Sequence, residues 1–98
     1  MPAYILAHVD VKDPVGYDHY KRLVLDTMVP FGGRFLVRGA TPEILEGRWD
    51  PRRLVILEFP DSGSARRWWA SPGYAAAKAV RQRTSEGTLV LLEGVQTT

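Results

Sequence analysis

The sequence predicts an α+β domain of the ferredoxin-like kind, with elements in the order β-α-β-β-α-β. Three observations predict it: four segments have strand-like patterns, helical segments follow the first and third of them, and no helix separates the second from the third. Strands joined without a helix pair antiparallel, because a parallel connection needs a long crossover. We therefore expect a four-stranded antiparallel sheet with both helices on one face, and we disfavour a parallel doubly wound sheet.

The first strand and the first helix have clear signals. Residues 3–11 alternate between two faces, one of them wholly apolar, and this period of two indicates a strand. Asp13 followed by Pro14 is typical of a helix N-cap with proline in the first turn. Apolar residues at helical spacing follow, and Pro30 together with the Gly32–Gly33 pair ends the predicted helix.

Two strands without an intervening helix are predicted in the middle of the chain. Residues 34–38 alternate, and residues 53–59 are almost wholly apolar. Residues 43–46 are a candidate for a short extra strand at an edge, and the loop that follows carries Trp49. The neighbouring Arg52 and Arg53 are expected to be solvated or paired with acidic residues.

The second helix is predicted to be interrupted. Helical residues 63–70 follow a capping sequence, and a serine–proline pair at positions 71 and 72 resembles a second helix start. The next helical segment covers residues 73–83. Gly87 is expected to break it before a last strand at residues 88–95.

The composition is typical of one small globular domain and excludes several kinds of site. The 98 residues are 45% hydrophobic and include no cysteine, which excludes disulfides, thiolate zinc sites and cysteine nucleophiles. The net charge of +2 gives no argument for nucleic acid or an anionic membrane. The apolar run near the N-terminus is too short for a signal peptide or a membrane helix, so we expect a cytoplasmic protein.

Both faces of the predicted sheet are too apolar to face water. One face is apolar throughout, and its last strand is expected to contribute Val90 and Leu92. The other face mixes leucine and isoleucine with ionisable residues, which include His8, Arg34, Arg38 and Glu58. Two helices can cover only one face. We therefore expect the sheet to pack on a second sheet in a two-fold homodimer.

The ionisable residues of the mixed face are candidates for chemistry, because charges inside an apolar layer are costly unless they are paired. One hypothesis is a pocket wall in which His8 and Glu58 handle protons, while Arg38, with Arg34, binds the anionic part of a substrate. The other is a structural network of ion pairs and hydrogen bonds at the dimer seam.

Three aromatic residues near the helix interruption are further candidates for substrate binding. Trp68 and Trp69 are adjacent on a helix, so their side chains point about 100° apart. One of them is expected to pack in the core, and the other either lines a pocket or lies at the subunit seam. Tyr74 follows the interruption and either supplies a hydroxyl group to a pocket or packs between helices.

Other classes of function lack their motifs. No glycine-rich nucleotide-binding pattern is present, and His8 and His19 lack the spacing of metal ligands, so we expect neither a cofactor nor a metal. An RNA-recognition module shares the predicted fold, but it carries stacking aromatic residues on its third strand. Here that strand carries Glu58, which would repel phosphate, so we expect no nucleic-acid partner.

Several sequence blocks together resemble one known family. Positions 32–39 read GGRFLVRG, positions 45–47 read LEG, positions 51–60 read PRRLVILEFP, and positions 68–74 read WWASPGY, with Arg81 further on. In these blocks and their order the chain resembles domain-of-unknown-function family 1330. The resemblance implies the dimeric α/β-barrel form of the ferredoxin-like fold and no settled activity. His8 and Trp69 depart from the family pattern, in which an acidic residue and a tyrosine are common at these positions.

The wider superfamily implied by this resemblance includes cofactor-free monooxygenases, muconolactone isomerase-like enzymes and EthD-like proteins. These generally bind small organic molecules between the sheet and the helices of each subunit, and by analogy we expect the mixed face to meet the helices. The first functional hypothesis is a homodimeric small-molecule-binding protein or cofactor-independent enzyme, isomerase- or monooxygenase-like, for a small organic acid or aromatic compound. The alternative is a non-catalytic dimeric binding or structural module whose polar cluster only fixes the dimer.

Overall fold

A computed structural model describes residues 1–95 as one four-stranded antiparallel sheet with helices on one face. The elements, in chain order, are β1 (Ala3–Val11), α1 (Pro14–Met28) with a 3-10 turn (Val29–Phe31), β2 (Arg34–Ala40), β3 (Arg53–Phe59), α2 (Ser62–Ala70), α3 (Pro72–Thr84) and β4 (Ser85–Glu93). The strand order is β2-β3-β1-β4, which confirms the predicted α+β, ferredoxin-like topology. No helix in the described part of the chain has the length and hydropathy to cross a membrane, and the cytoplasmic location stays a prediction.

The helices begin at the predicted capping residues. Three side-chain oxygens accept hydrogen bonds from backbone N–H groups of the first turns: Asp13 from Gly16, Asp61 from Ser64, and Ser71 from Tyr74. Such a cap satisfies a donor that the helix itself leaves unpaired. Ser71 also donates a hydrogen bond to the carbonyl oxygen of Trp68, so one residue ends α2 and begins α3. The predicted interruption of the second helix is therefore confirmed.

Two predicted boundaries differ from the structure. Residues 43–46 form no strand, and residues 41–52 carry no regular secondary structure. Strand β4 starts at Ser85, directly after α3, and Gly87 lies within the strand opposite Val9. Glycine usually indicates a turn, but inside a strand it also permits a close approach of a neighbouring backbone. That is its role here, because a methyl group at Gly87 would collide with the backbone carbonyl oxygen of His8.

The helices cover the apolar face of the sheet, so the expectation that the mixed face meets them is wrong. Apart from Ser85 at the start of β4, the strand residues buried beneath the helices are apolar: Ala3, Ile5, Ala7, Val9, Val55, Leu57 and Phe59. They pack against helical residues that include Tyr17, Val24, Met28, Trp68 and Tyr74. Burying this mainly apolar face costs less desolvation of polar groups than burying the face with His8, Arg34 and Glu58 would.

The face assignment predicted for β4 is also wrong. Leu89 pairs with Ala7 and Leu91 pairs with Ile5, and antiparallel partners have side chains on the same side of a sheet. Leu89 and Leu91 therefore point toward the helices, while Val90 and Leu92 point away from them. Residues 89–92 are all apolar, so their hydrophobicity alone gives no phase; the pairing with β1 determines it.

A β-bulge changes the phase of β2. Its pairing with β3 slips by one residue between Phe35 and Val37, and Leu36 is the extra residue. An inserted residue reverses which face the following side chains occupy, here up to a second slip between Arg38 and Ala40. After the slip, Arg38 pairs with Val55, a residue buried beneath the helices. Arg38 thus lies on the helix side, and its predicted place on the other face is wrong.

The sheet face away from the helices, which we call the open face, remains strongly apolar. Its apolar side chains come from all four strands: Tyr4, Leu6, Val37, Leu54, Ile56, Val90 and Leu92. Val90 and Leu92 are 41% and 50% exposed. An apolar surface of this kind on one chain is typical of an interaction site.

Candidate functional site

A small cavity, which we call the sheet–helix cavity, lies between the sheet and the helices. Its volume is about 30 Å³, and residues from every strand and every helix line it. This space holds about one water molecule. Most of its wall is apolar, from residues such as Val9, Val55 and Leu57.

Four cationic side chains also line this cavity. They are Lys21 from α1, Arg38 from β2, Arg53 from β3 and Arg81 from α3. No aspartate or glutamate of residues 1–95 lines it. Lys21 Nζ lies 3.8 Å from Asp18 Oδ1, outside the cavity lining, whereas the three arginines form no ion pair within residues 1–95. Positive charge that is partly removed from water and lacks a carboxylate partner raises the local potential, and it favours the binding of an anion.

Arg53 has a buried donor without an acceptor. Within the described chain its Nε is the buried side-chain atom that has no hydrogen-bond partner. The guanidinium carbon lies 5.5 Å from the centre of the Tyr17 ring, and the group sits against Gly39, which has a φ of 83°. A side chain at Gly39 would occupy the space of this guanidinium. Buried N–H groups are nearly always paired, so an orphan beside a cavity indicates a missing acceptor.

Two tyrosines and Arg81 form a hydrogen-bonded chain behind the cavity wall. Arg81 Nε donates to the Tyr74 hydroxyl at 3.3 Å, and the hydroxyl oxygens of Tyr20 and Tyr74 are 3.0 Å apart. Burial, reinforced by the neighbouring Tyr74, raises the pKa of the Tyr20 hydroxyl. Tyr20 therefore keeps its proton near neutral pH. The cavity has a protonated phenol beside a guanidinium, which is a pair of donors suited to an oxyanion.

Arg38 connects β2 to α1 at the edge of the cavity. Its Nη2 donates to the carbonyl oxygen of Lys21 at 2.7 Å, and its guanidinium carbon lies 4.2 Å from the centre of the Phe35 ring. The side chain is exposed to solvent on its outer side. The Arg38 side chain therefore extends across the β2 end of the cavity and closes it.

The two adjacent tryptophans have different positions. Trp68 is fully buried, lines the cavity and stacks on Tyr74 with ring centroids 4.1 Å apart. Its indole N–H donates to Thr27 Oγ1 at 3.0 Å. Trp69 is 38% exposed and lies outside the cavity, with Lys78 Nζ 4.0 Å from the centre of its ring.

The remaining predicted site residues lie on the open face, away from this cavity. Glu58 Oε1 accepts a hydrogen bond from Arg34 Nε at 2.8 Å and forms an ion pair with Arg34 Nη2 at 2.7 Å. His8 Nε2 accepts from the backbone N–H of Arg52 at 2.9 Å, and its ring lies 5.8 Å from that of Trp49. The structure therefore brings Arg38 and Trp68 to the cavity, and it places the Tyr74 hydroxyl behind the cavity wall, in contact with Tyr20 and Arg81. It leaves His8, Glu58 and Arg34 on the opposite side of the sheet.

Four polar residues that line the cavity were not predicted as site residues, namely Tyr20, Lys21, Arg53 and Arg81. Arg53 alternates in phase with Val55 and Leu57, and this phase places it on the buried face. Arg81 follows Tyr74 by two helical turns. The sequence signal for both arginines is that each lies in phase with buried apolar residues. Arginine is usually exposed, and this general preference led to the opposite prediction.

Comparisons with known proteins agree with this fold. The family model described as "Domain of unknown function (DUF1330)" matches residues 2–95. A protein of unknown function from Rhodopseudomonas palustris, RPA0582, superposes with a TM-score of 0.77 at 19% identity, covering 98% of this chain and 84% of that one. No curated protein matches the sequence.

Two further solved structures are similar to the whole chain. SnoaB, a cofactor-independent oxygenase from Streptomyces nogalater, has a TM-score of 0.67 at 17% identity, covering 98% of this chain and 95% of SnoaB. A dabb family protein with a ferredoxin-like fold from Mesorhizobium loti has a TM-score of 0.66 at 14% identity, covering 97% and 98%. At these identities the similarity shows a shared fold, and function must be argued from the site.

Proposed function

The chain belongs to the DUF1330 family, whose description assigns no activity, and we propose that it binds a small organic acid in the sheet–helix cavity. One observation carries this proposal. The buried Nε of Arg53 has no acceptor, in a cavity that four cationic side chains line without a carboxylate. A carboxylate is the group that completes such a site, because guanidinium donors match its two oxygens.

In this proposal the part of the ligand that carries the acid group is unsaturated or aromatic. Beside the cations, the cavity wall carries the rings of Tyr17, Phe35 and Trp68. Flat apolar side chains provide contact area for a planar body, while the arginines bind its acid group. Because the cavity holds about one water molecule in this form, binding requires lining side chains to move apart.

The same geometry supports cofactor-independent chemistry. Tyr20 keeps its proton, and its hydroxyl contacts that of Tyr74, which accepts from Arg81. Such donors stabilise negative charge that develops on a substrate oxygen, as in an isomerisation or a reaction with oxygen. The fold shared with SnoaB agrees with this class of enzyme. His8 and Glu58 face away from the cavity, so we propose no proton transfer through them.

The first test compares an acid with its neutral analogue. We expect 4-hydroxybenzoate to raise the midpoint of thermal unfolding, while 4-hydroxybenzamide, of nearly the same shape, leaves it unchanged. A ligand that binds only the folded state at about 100 times its dissociation constant adds about 2.7 kcal/mol to the free energy of unfolding. Equal shifts with both compounds, or no shift with any member of a panel of aromatic and aliphatic acids, would contradict the proposal.

We also propose that two copies of the chain pack through their open faces. The apolar side chains there come from every strand, and Val90 and Leu92 remain half-exposed in one chain. The Arg34–Glu58 ion pair and His8 lie on the same face. This placement favours the interpretation in which the polar cluster fixes the register of the dimer.

A charge placed in the middle of the open face tests the dimer. Ile56 is half-buried on the central strand β3, and we expect Ile56→Lys to give a folded monomer, because a lysine there cannot be desolvated at an apolar seam. Light scattering after size exclusion gives the mass, and circular dichroism checks the fold. Val15→Lys is the control, since Val15 is 82% exposed on the helix side. An unchanged dimer in Ile56→Lys would exclude the open face as the interface, and a monomeric wild type would exclude the dimer.

A further inference from the structure

One residue, Leu89, lines three separate concave spaces of the molecule. Besides the sheet–helix cavity, a groove of about 200 Å³ lies between α2 and β4, which we call the strand groove. A second groove of about 440 Å³ lies where α3 ends and β4 begins, which we call the end groove. Leu89 lines all three spaces, and Arg81 lines both the end groove and the cavity.

We propose that small organic anions enter the sheet–helix cavity from the end groove by displacing Leu89, which thereby limits the size of ligand admitted. This inference rests on the proposed function and deepens it. Arg81 contacts both spaces, so its guanidinium attracts the anion at the mouth and stays beside it inside. Leu89 is the specificity-determining residue of the entrance.

The β4 end is easier to open than the β2 end. At the β2 end, Arg38 must break a 2.7 Å hydrogen bond to the Lys21 carbonyl oxygen and leave the Phe35 ring before anything passes. At the β4 end, Leu89 is a partly buried apolar side chain on an edge strand. Its partner across the strand pair is Ala7, whose single methyl group hinders other rotamers of Leu89 less than a larger side chain would.

The charges at the mouth favour anions. The guanidinium carbon of Arg81 lies 5.8 Å from the centre of the Trp69 ring, and Lys78 Nζ lies 4.0 Å from the same centre. Trp69 lines both grooves. Glu86 is the acidic residue that lines the end groove among residues 1–95. Arg81 therefore offsets Glu86 in the lining of the end groove, and Lys78, against the ring of Trp69, adds a second cation beside that groove, so the mouth attracts the ligand class that the cavity binds.

Fluorescence quenching measures access without any bound ligand. In a background of Trp49→Phe and Trp69→Phe, the sole tryptophan is Trp68, which is fully buried and lines the cavity. We expect Leu89→Ala to raise the quenching rate constants of acrylamide and iodide several-fold over the background. Leu91→Ala is the matched control, because Leu91 has the same side chain on the same face of β4 but lines only the strand groove. Leu89→Val serves the same comparison, should Leu89→Ala fail to fold.

Two outcomes overturn the entrance at Leu89. One is equal quenching in the Leu89 and Leu91 variants. The other is a larger increase from Arg38→Met, which would place the entrance at the β2 end. Quenching needs no organic acid, so the test of the entrance is independent of the test of the proposed ligand. Failure of every acid in the panel to bind the wild type overturns the acid as ligand, while a several-fold contrast between the two leucine variants still supports the route.

Discussion

Arg53→Met is expected to weaken the binding of 4-hydroxybenzoate by about 10- to 100-fold, because a hydrogen bond to a charged group contributes about 1.5–3 kcal/mol. The same change is expected to leave the unliganded protein at least as stable as the wild type. Opposite effects on ligand affinity and on the free energy of unfolding are typical of residues that serve binding rather than folding.

The surroundings of Arg53 explain why Arg53→Met is expected to leave the free energy of unfolding unchanged or to raise it. Its Nε is buried and no protein acceptor reaches it, so in the unliganded protein only a water molecule in the cavity can offset its desolvation cost. Methionine has a similar length and is apolar, so it keeps the packing against Tyr17. The change gives up a cation–π contact worth about 0.5–1 kcal/mol at an exposed site, and it removes the unpaired buried donor.

The adjacent arginine provides the control. Arg52→Met removes the same charge, but the Arg52 side chain is 61% exposed and its Nη2 lies 3.6 Å from Asp50 Oδ2. Its contact with His8 is made by the backbone N–H, which methionine keeps. Calorimetric titration gives the affinities, and urea unfolding gives the stabilities. Equal loss of affinity in both variants would indicate only long-range charge, and a strong destabilisation by Arg53→Met would indicate a structural role for Arg53.

The topology was predictable from the sequence because its signals are local. Asp13 and Ser71 cap helices with their own side chains, and each cap needs only the next three residues. The faces of the strands were less predictable, because they depend on pairing between distant segments. The bulge at Leu36 is one extra residue relative to β3, and nothing in the alternation of β2 itself reveals it. For that reason Arg38 was placed on the wrong face.

The candidate site was partly predictable for a related reason. Trp68, Tyr74 and Arg38 were selected because aromatic and charged residues stand out in an apolar strand or beside a helix interruption. Arg53 lies in the buried phase of β3, but arginine is usually exposed, and only the three-dimensional packing shows that its Nε is enclosed. His8 and Glu58 stand out equally in the sequence. They lie apart from the cavity because the helices pack on the opposite face of the sheet.

Gly87→Ala is expected to be among the most destabilising methyl additions to the sheet. A methyl group there collides with the backbone carbonyl oxygen of His8, and a backbone atom cannot turn aside as a side chain does. The two strands are also fixed nearby, since the backbone N–H groups of Lys12 and Asp13 both donate to the carbonyl oxygen of Thr84, at 2.9 and 3.0 Å. Overpacking of this kind costs about 1–3 kcal/mol and occasionally more.

Gly73→Ala is the matched control, because the same methyl group there meets no heavy atom within 4 Å. It lies in the first turn of α3, so we expect it to stabilise the protein by about 0.4–1 kcal/mol through the unfolded chain. Thermal unfolding should separate the two variants by about 4–8 °C for each kcal/mol between them. Equal midpoints would show that β1 and β4 do not approach closely at Gly87. Leu89 follows Gly87 by two residues on the same strand. Displacement of β4 by Gly87→Ala should therefore also raise the quenching of Trp68. That result would link the close approach of β1 and β4 to the closure of the cavity.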